Sequence, residues 1–582
     1  MKSPRPSAQA ARRAGGLMIL ALLTWTALSS LYMMWAYATP LPIGDQWDSA
    51  FFPDHFAQRL FALHNEHRPA LGRLVGLADW YLTNGRNGVN IAFIALCFPV
   101  FAIALYGLIR MTGAKAREAA LFTALAMAIQ ASAEQRENLL WGFQTAFVGS
   151  FAFASLAMSL AATIARPQGS AIRVTLLYAL CLICSLFSVF SLASGLLTLI
   201  GVSLLFFLAK APGPIRFSYP LFALAVIAFY LHGYSAPGDL PSPVHAVSLP
   251  ASLLRYALTY LGSPFAPRGG AGMAALLGAF GFVLLCVLSV DALRMALRDR
   301  ALVRSPAGVA YAAILMLALM VLGAAMMAAL GRVGLGFSQA MSSRYGTPAL
   351  AFWADMVVLC LVRPRLRPGA DAQIFKKAGL SLGLVLAVFV AASQASFLKE
   401  AAHVQAERLG GAMAYMVGAR GPSALVLYPV PDRLANGHID SEYGELAARG
   451  KSIFADGWPQ RLGARLQPGA SPGLQSCRGA LESRVALNGE RNAVVRLSGW
   501  ALLGPDERKP ALIVFTDDNG TVVGFGSPGY PRKDLQRSLH TRRAANAGFV
   551  GFVSGAQARL HAYALTRADA SAKGCMFAIS DP

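Results

Sequence analysis

The chain has 582 residues, of which 55% are hydrophobic and only 14% charged. That composition excludes an ordinary soluble protein, which carries about a quarter of charged residues. The formal net charge of +22 would suit nucleic acid. Many of the basic side chains, however, stand in short loops between apolar runs, where they set membrane orientation and attract anionic lipid.

Apolar runs recur from Leu17 to about Phe397, each long enough or nearly so to cross ~30 Å of hydrocarbon. The predicted spans are 17–37, 89–109, 119–133, 143–164, 174–190, 195–209, 217–232, 271–290, 306–330, 346–362 and 378–397, about eleven helices. Ala36-Tyr37-Ala38 has the form of a signal-peptide cleavage site. The apolar core before it exceeds the ~7–15 residues usual there, so a retained helix is expected. Ser185, Ser188, Ser191, Ser194 and Gly195 break the run 174–209 into two short helices or a re-entrant pair. Twenty Lys and Arg fall in one alternate set of loops and nine in the other. The positive-inside rule then puts the N-terminus in the cytoplasm, and an odd span count puts the C-terminal part outside.

The outward loops on this scheme are 38–88, 134–142, 233–270 and 331–345. The first is dense in polar groups: Asp45, Asp48, Asp54, His55, His64, Glu66, His67, Arg68 and Asp79. Pro40, Pro42 and Gly44 stop the preceding helix, leaving Asp45 and Asp48 on irregular backbone. Residues 54–82 repeat Phe56, Leu60, Leu63, Leu71, Leu74, Leu77 and Trp80 at helical spacing. One or two surface helices are expected, with Trp47, Trp80 and Tyr81 at headgroup depth. His64 and His67, at i and i+3 of such a helix, have the spacing of metal ligands but lack a third; packing or substrate hydrogen bonding is favoured. The second loop and its end carry Glu134, Arg136, Glu137 and Gln144, the loop 233–270 His245, Arg255, Tyr256 and Tyr260, and the last Arg332, Arg344 and Tyr345. Glu134 and Glu137 also suit a helix N-terminus. Carboxylates activate a hydroxyl, and arginines stabilise a departing phosphate. Asp355 is the lone acid within a span and should face protein or water.

Cys97, Cys181, Cys184, Cys286 and Cys360 lie in apolar runs and read as small hydrophobes, the CxxC spacing of Cys181 and Cys184 included. Cys477 and Cys575 flank the strand-like part of the C-terminal region. A disulfide between them needs an oxidising compartment. Residues 399–472 read as a linker or small α/β segment, with a short strand at 424–428. From 473 to 582 short strands alternate with turns, among them Asp517-Asp518-Asn519-Gly520, and the expectation is an antiparallel β-sandwich. Trp500, Phe525, Tyr530 and His540 are candidates for a carbohydrate-stacking surface, against Trp500 as core. The basic stretch Arg532, Lys533, Arg537, Arg542 and Arg543 reads as a solvated face, or as one facing anionic lipid or an acidic glycan.

The acidic motif after the first apolar run, the acids after the third and the outward C-terminal domain resemble the GT-C superfamily of membrane glycosyltransferases. The resemblance covers the topology of about 1–400 and implies a GT-C-like membrane domain at 1–398 in a bacterial cytoplasmic membrane. It implies direct, inverting displacement on a polyprenyl-phosphate sugar, with a glycan, lipid or protein of the envelope as acceptor. The family's first-loop base maps onto Asp45 or Asp48 and its second-loop acids onto Glu134 and Glu137. Glu66, His67, Arg68, Gln144, Arg332, Arg344 and Tyr345 complete the expected substrate contacts. The paired DxD spacing of metal-dependent members is missing, which leaves the cofactor unknown and names no metal ligand. A transporter or flippase for lipid-linked sugar, and a non-catalytic envelope assembly protein, are the alternatives.

Overall fold

A computed structural model describes residues 8–48, 53–54, 56–165, 170–235, 246–466, 477–487, 493–555, 559–567 and 574–577. The chain separates into two compact units. One holds Met1–Ala36, His55–Val75 and Asn90–Leu398; the other holds Tyr37–Asp54, Gly76–Val89 and Lys399–Pro582. The first outward loop of the sequence is thus shared between them.

The first unit is helical. Its helices are α1 (Ala8–Tyr37), α2 (Gly88–Met111), α3 (Ala116–Gln130), α4 (Thr145–Ile164), α5 (Ala171–Val189), α6 (Leu196–Leu208), α7 (Gly213–Leu231), α8 (Pro250–Gly262), α9 (Gly270–Arg298), α10 (Pro306–Arg332), α11 (Gly346–Leu366) and α12 (Ala370–Met416), the last running on into the second unit. Nine of them, among the described residues, are long and apolar enough to cross a membrane: α1, α2, α4, α5, α7, α9, α10, α11 and α12. The expected spans 119–133 and 195–209 are α3 and α6, of 15 and 13 residues. At about 1.5 Å per residue neither alone crosses ~30 Å. Sequence sets the helix ends: Ser170 accepts a hydrogen bond from the Arg173 amide, and Ser305 accepts one from the Gly308 amide with Pro306 in the first turn. Burial ranks the helices. The apolar window of α11 is 94% buried and that of α4 72%, against 22% for α7, so α11 and α4 form the centre and α7 the rim.

One close approach fixes the segment before α9. A Cβ on Gly262 would stand 1.9 Å from the Ala274 carbonyl oxygen, and one on Gly278 would stand 1.8 Å from that of Leu258. Only glycine permits backbones that near. We expect Gly278→Ala to force α8 and α9 apart and cost about 1–3 kcal/mol, read as a lower melting temperature of the detergent-solubilised protein.

The stretch 54–82 departs from the expected amphipathic helices. It forms a four-residue helix Phe56–Arg59, a tight turn, and a helix Ala70–Leu82. In the turn His64 and His67 exchange two backbone hydrogen bonds of 2.8 and 2.9 Å, and Asn65 has a φ of 50°. The two histidines are therefore not on one helix; a left-handed Asn65 and the following Pro69 override the periodicity. Trp47 and Trp80 are each 4% exposed in the second unit's core, beside Tyr443 and Phe454, rather than at headgroup depth. His55 and His245 lie outside the described residues.

The second unit contains one seven-stranded antiparallel sheet of order β1-β2-β5-β4-β3-β6-β7. The strands are β1 (Cys477–Leu487), β2 (Val494–Leu503), β3 (Leu512–Thr516), β4 (Val522–Tyr530), β5 (Gly548–Ser554), β6 (His561–Leu565) and β7 (Gly574–Phe577). The sequence expectation was two sheets; the described strands make one. The alternation along β3 explains how one sheet suffices. Leu512 and Val514 pack on the helical segment 412–458, while Ile513 and Phe515 meet Leu497, Phe549 and Phe577 of the same sheet. The hairpin Asp517–Gly520 forms as expected: Asp517 Oδ1 accepts from the amides of Asn519 and Thr521, and Gly520 has φ 79°. Cys477 and Cys575 are disulfide-bonded, with Cα atoms 5.9 Å apart. Residues 424–428 are not a strand: Pro422–Ala424 is a 3₁₀ turn, and the Leu427 carbonyl accepts from the Gly44 amide. Phe525 is fully buried, which removes it from any open stacking surface, and Trp500 packs partly buried by Leu535 and Ala544. Arg532 pairs with Glu482 and Asp534.

Candidate functional site

The tight turn brings two of the expected residues to the wall of a cavity in the helical unit. Glu66 and His67 line it with Ser194, Tyr260, Arg332 and Tyr345, and its volume is about 80 Å³. Apolar side chains from α4 and α10, with Leu192 and Ala193 from the break before α6, supply the rest of the wall.

Glu66 is the electrostatic centre. Its Oε1 lies 2.6 Å from the Arg332 guanidinium and 3.5 Å from His67 Nε2. Its Oε2 is buried without a hydrogen-bond partner. Burial alone would raise the carboxyl's pKa; the facing His67 and Arg332 together outweigh it, and the group sits below the usual glutamate range. The Ala193 amide donates to His67 Nδ1 at 3.3 Å. An accepting Nδ1 carries no proton, so His67 is neutral with its N–H on Nε2, toward Glu66. Arg332 is then the lasting cation, and both glutamate partners bind the same oxygen.

Tyr345 and Tyr260 close the neighbouring wall with ring centroids 4.7 Å apart. Both phenols are deeply buried; burial, with repulsion from the Tyr345 and Tyr256 phenols, drives the Tyr260 hydroxyl well above its ordinary pKa and keeps it a donor. Arg344 stacks over Tyr345 at 5.5 Å and leaves its Nε buried without a partner. The segment bearing Arg344 is latched to the second loop: Glu137 Oε2 accepts from the Ser342 hydroxyl and the Arg344 amide at 3.0 and 3.1 Å. Asn138 donates to the Arg344 carbonyl and to the Thr347 hydroxyl. Glu134 is 4% exposed and packs over Gly346, where an added Cβ would stand 2.7 Å from Glu134 Oε2. The two loop acids thus hold the loop that carries Arg344 and Tyr345. Gln144 is fully buried and neither amide atom has a hydrogen bond within the protein.

Arg68 donates to the backbone carbonyls of Phe61, Tyr230 and His232, so its charge tethers the turn to the end of α7. His64 packs edge-on to Phe143 at 5.4 Å. No group of three or more His, Cys, Asp or Glu among the described residues is arranged to hold a metal ion.

Asp45 and Asp48 bound a four-residue helix in the second unit. Gly44, with φ 51°, turns the chain into it. Gln46 donates to Asn87, and Trp47 packs 6.2 Å from Tyr443, while Asp45 remains half-exposed. The Asp48 side chain lies outside the described residues. Tyr260, one of the side chains of the outward loop 233–270, and Ser194, from the serine-rich break, both stand in the wall, though neither is among the expected substrate contacts. The serine-rich break at 185–195 was the available signal, since Ser194 Oγ is buried with no hydrogen bond.

No family model matches the chain, and no curated protein or solved structure is similar to it.

Proposed function

We propose that the chain is a membrane glycosyltransferase that moves a sugar from a polyprenyl-phosphate donor to an acceptor hydroxyl of an envelope glycan, lipid or protein, with its N-terminus cytoplasmic and its β domain extracytoplasmic. The observation that carries this reading is the Glu66–Arg332 pair on a partly apolar cavity at the end of a membrane-length helix. An amphiphile with an anionic phosphate matches that wall. The phosphate competes with Glu66 for Arg332, whose planar guanidinium suits it. Drawing Arg332 away restores basicity to Glu66, so the base strengthens only once donor is bound. Glu66 then takes the acceptor proton as the acceptor oxygen forms its bond to the anomeric carbon. The carbon–oxygen bond to phosphate breaks on the opposite side, with inversion, and the charge it leaves rests on Arg332. Arg344 is the second cation on the same loop as Tyr345.

The family resemblance gives the base role to Asp45 or Asp48 instead, and substitution separates the two assignments. Purified protein in lipid, supplied with radiolabelled polyprenyl-phosphate hexoses or pentoses, should transfer label. Glu66→Gln should lower turnover by about 10²–10⁴-fold while donor still binds. Full activity in Glu66→Gln together with loss in Asp45→Asn would move the base to the second unit. Absence of transfer from every donor of this class sinks the enzyme reading.

A further inference from the structure

The serine-rich break between α5 and α6 is only partly used by the fold. Ser185 donates to the Cys181 carbonyl and meets the Tyr219 hydroxyl at 2.6 Å. Ser188 donates to the Ser150 carbonyl and meets the Thr198 hydroxyl at 2.9 Å. Ser191 donates to the Phe187 carbonyl at 2.6 Å. Ser194 is the exception. It is 5% exposed, its hydroxyl has no hydrogen bond within the protein, and it lines the cavity with Arg332 and Tyr260. A buried hydroxyl that the fold leaves unpaired costs stability, so its place on a cavity wall points to a ligand.

The backbone around Ser194 favours an anion. Ser194 stands in the 3₁₀ turn Ala193–Gly195, which runs directly into the 13 residues of α6. The first amides of a helix find no acceptor within it, and the helix dipole places partial positive charge there. His67 Nδ1 takes the Ala193 amide and the Leu192 carbonyl the Gly195 amide; the Ser194 amide has no backbone acceptor among the described residues. A Cβ on Gly195 would stand 2.2 Å from the Ser188 carbonyl oxygen, so the turn lies hard against the end of α5. A hydroxyl at a helix N-terminus, a phenol and a guanidinium on one wall form a donor set suited to an oxyanion. Glu66 is the one acid of that wall, and Arg332 holds it. We propose that Ser194 and the N-terminal turn of α6 are the neutral half of a phosphate-binding subsite. They take one non-bridging oxygen of a phosphodiester while Arg332 takes the other. The proposal rests on the reading of this cavity as the seat of an anionic phosphate, and it makes Ser194 a binding residue.

Binding of two lipids to the full chain in detergent tests it: a polyprenyl-phosphate hexose, and the polyprenol of the same length without phosphate. Ser194→Ala should weaken the phosphate lipid by about 10–100-fold, the worth of one hydrogen bond to a charged group. It should leave polyprenol binding unchanged, and Ser194→Thr should restore the phosphate lipid. Without lipid, Ser194→Ala should melt no lower than the wild type, since the hydroxyl it removes has no partner in the fold. Wild-type affinity of Ser194→Ala for the phosphate lipid overturns the proposal. Equal weakening of both lipids also overturns it, and so does a lower melting temperature or a failure to fold, since each makes Ser194 structural. Transfer is read separately. If the phosphate lipid binds through Ser194 and no donor of this class yields product, the subsite stands and the glycosyltransferase reading falls.

Discussion

Arg332→Met should destabilise the protein by about 3 kcal/mol, near the lower end of what breaking a buried ion pair costs. The mechanism is the stranded partner: Glu66 would keep its desolvation and lose its lasting cation. Side-chain exposures of 16% and 20% let water recover part of that, hence the lower end. The double variant Glu66→Gln, Arg332→Met removes both charges and should regain most of the loss. Thermal denaturation of the three variants in one detergent measures this. Equal losses in the single and double variants would refute coupling between the two residues. The pH dependence follows the same pair. Glu66 has a depressed pKa in the folded state, so its contribution is complete above the ordinary value of 4.5 and disappears as pH falls through the lower folded value. Wild-type melting temperature should therefore drop more steeply in that acid window than that of Glu66→Gln.

How far the sequence discloses this site depends on the kind of signal. Membrane-length helices are written in composition, and the runs at 17–37, 89–109 and 306–330 lie within α1, α2 and α10. The candidates Glu66, His67, Arg332 and Tyr345 were legible because charge and phenol at the ends of apolar runs are costly without a purpose. Their convergence was not legible. It depends on the turn at Asn65, which reverses the chain between His64 and His67 against a pattern that favours a helix. Likewise Glu137 reads as a substrate contact from its loop position, yet its carboxylate holds Ser342 and the Arg344 amide, 205 and 207 residues away. Trp47 and Trp80 have the look of interfacial anchors; only the fold supplies Tyr443 and Phe454 as partners. Local pattern specifies which residues are expensive, and tertiary structure decides what they are for.

Reduction of Cys477–Cys575 should have the larger effect on the β domain. The bridge joins positions 98 residues apart, and loop-closure entropy for about a hundred residues corresponds to about 4–5 kcal/mol. Its location raises the consequence. Cys477 opens β1 and Cys575 lies in β7, the two strands at the ends of the sheet order. The bond therefore draws the edges of a seven-stranded sheet together and closes over the core of Leu497, Phe515, Phe549 and Phe577. Without it, β1 and β7 become free edges, and residues that meet across the curl, such as Phe549 and Phe577 at 5.8 Å, lose their constraint. Cys477→Ser with Cys575→Ser, produced in full-length protein, should give rapid proteolysis within 477–577 while the helical unit stays protected. Digestion followed by mass spectrometry reads this directly. Unchanged protease resistance would mean that the sheet's hydrogen bonds and core hold the curl by themselves. Trapping of free thiols in intact cells with a membrane-impermeant reagent, before and after reductant, adds the compartment: the pair should react only after reduction from outside, as a disulfide in an oxidising space requires.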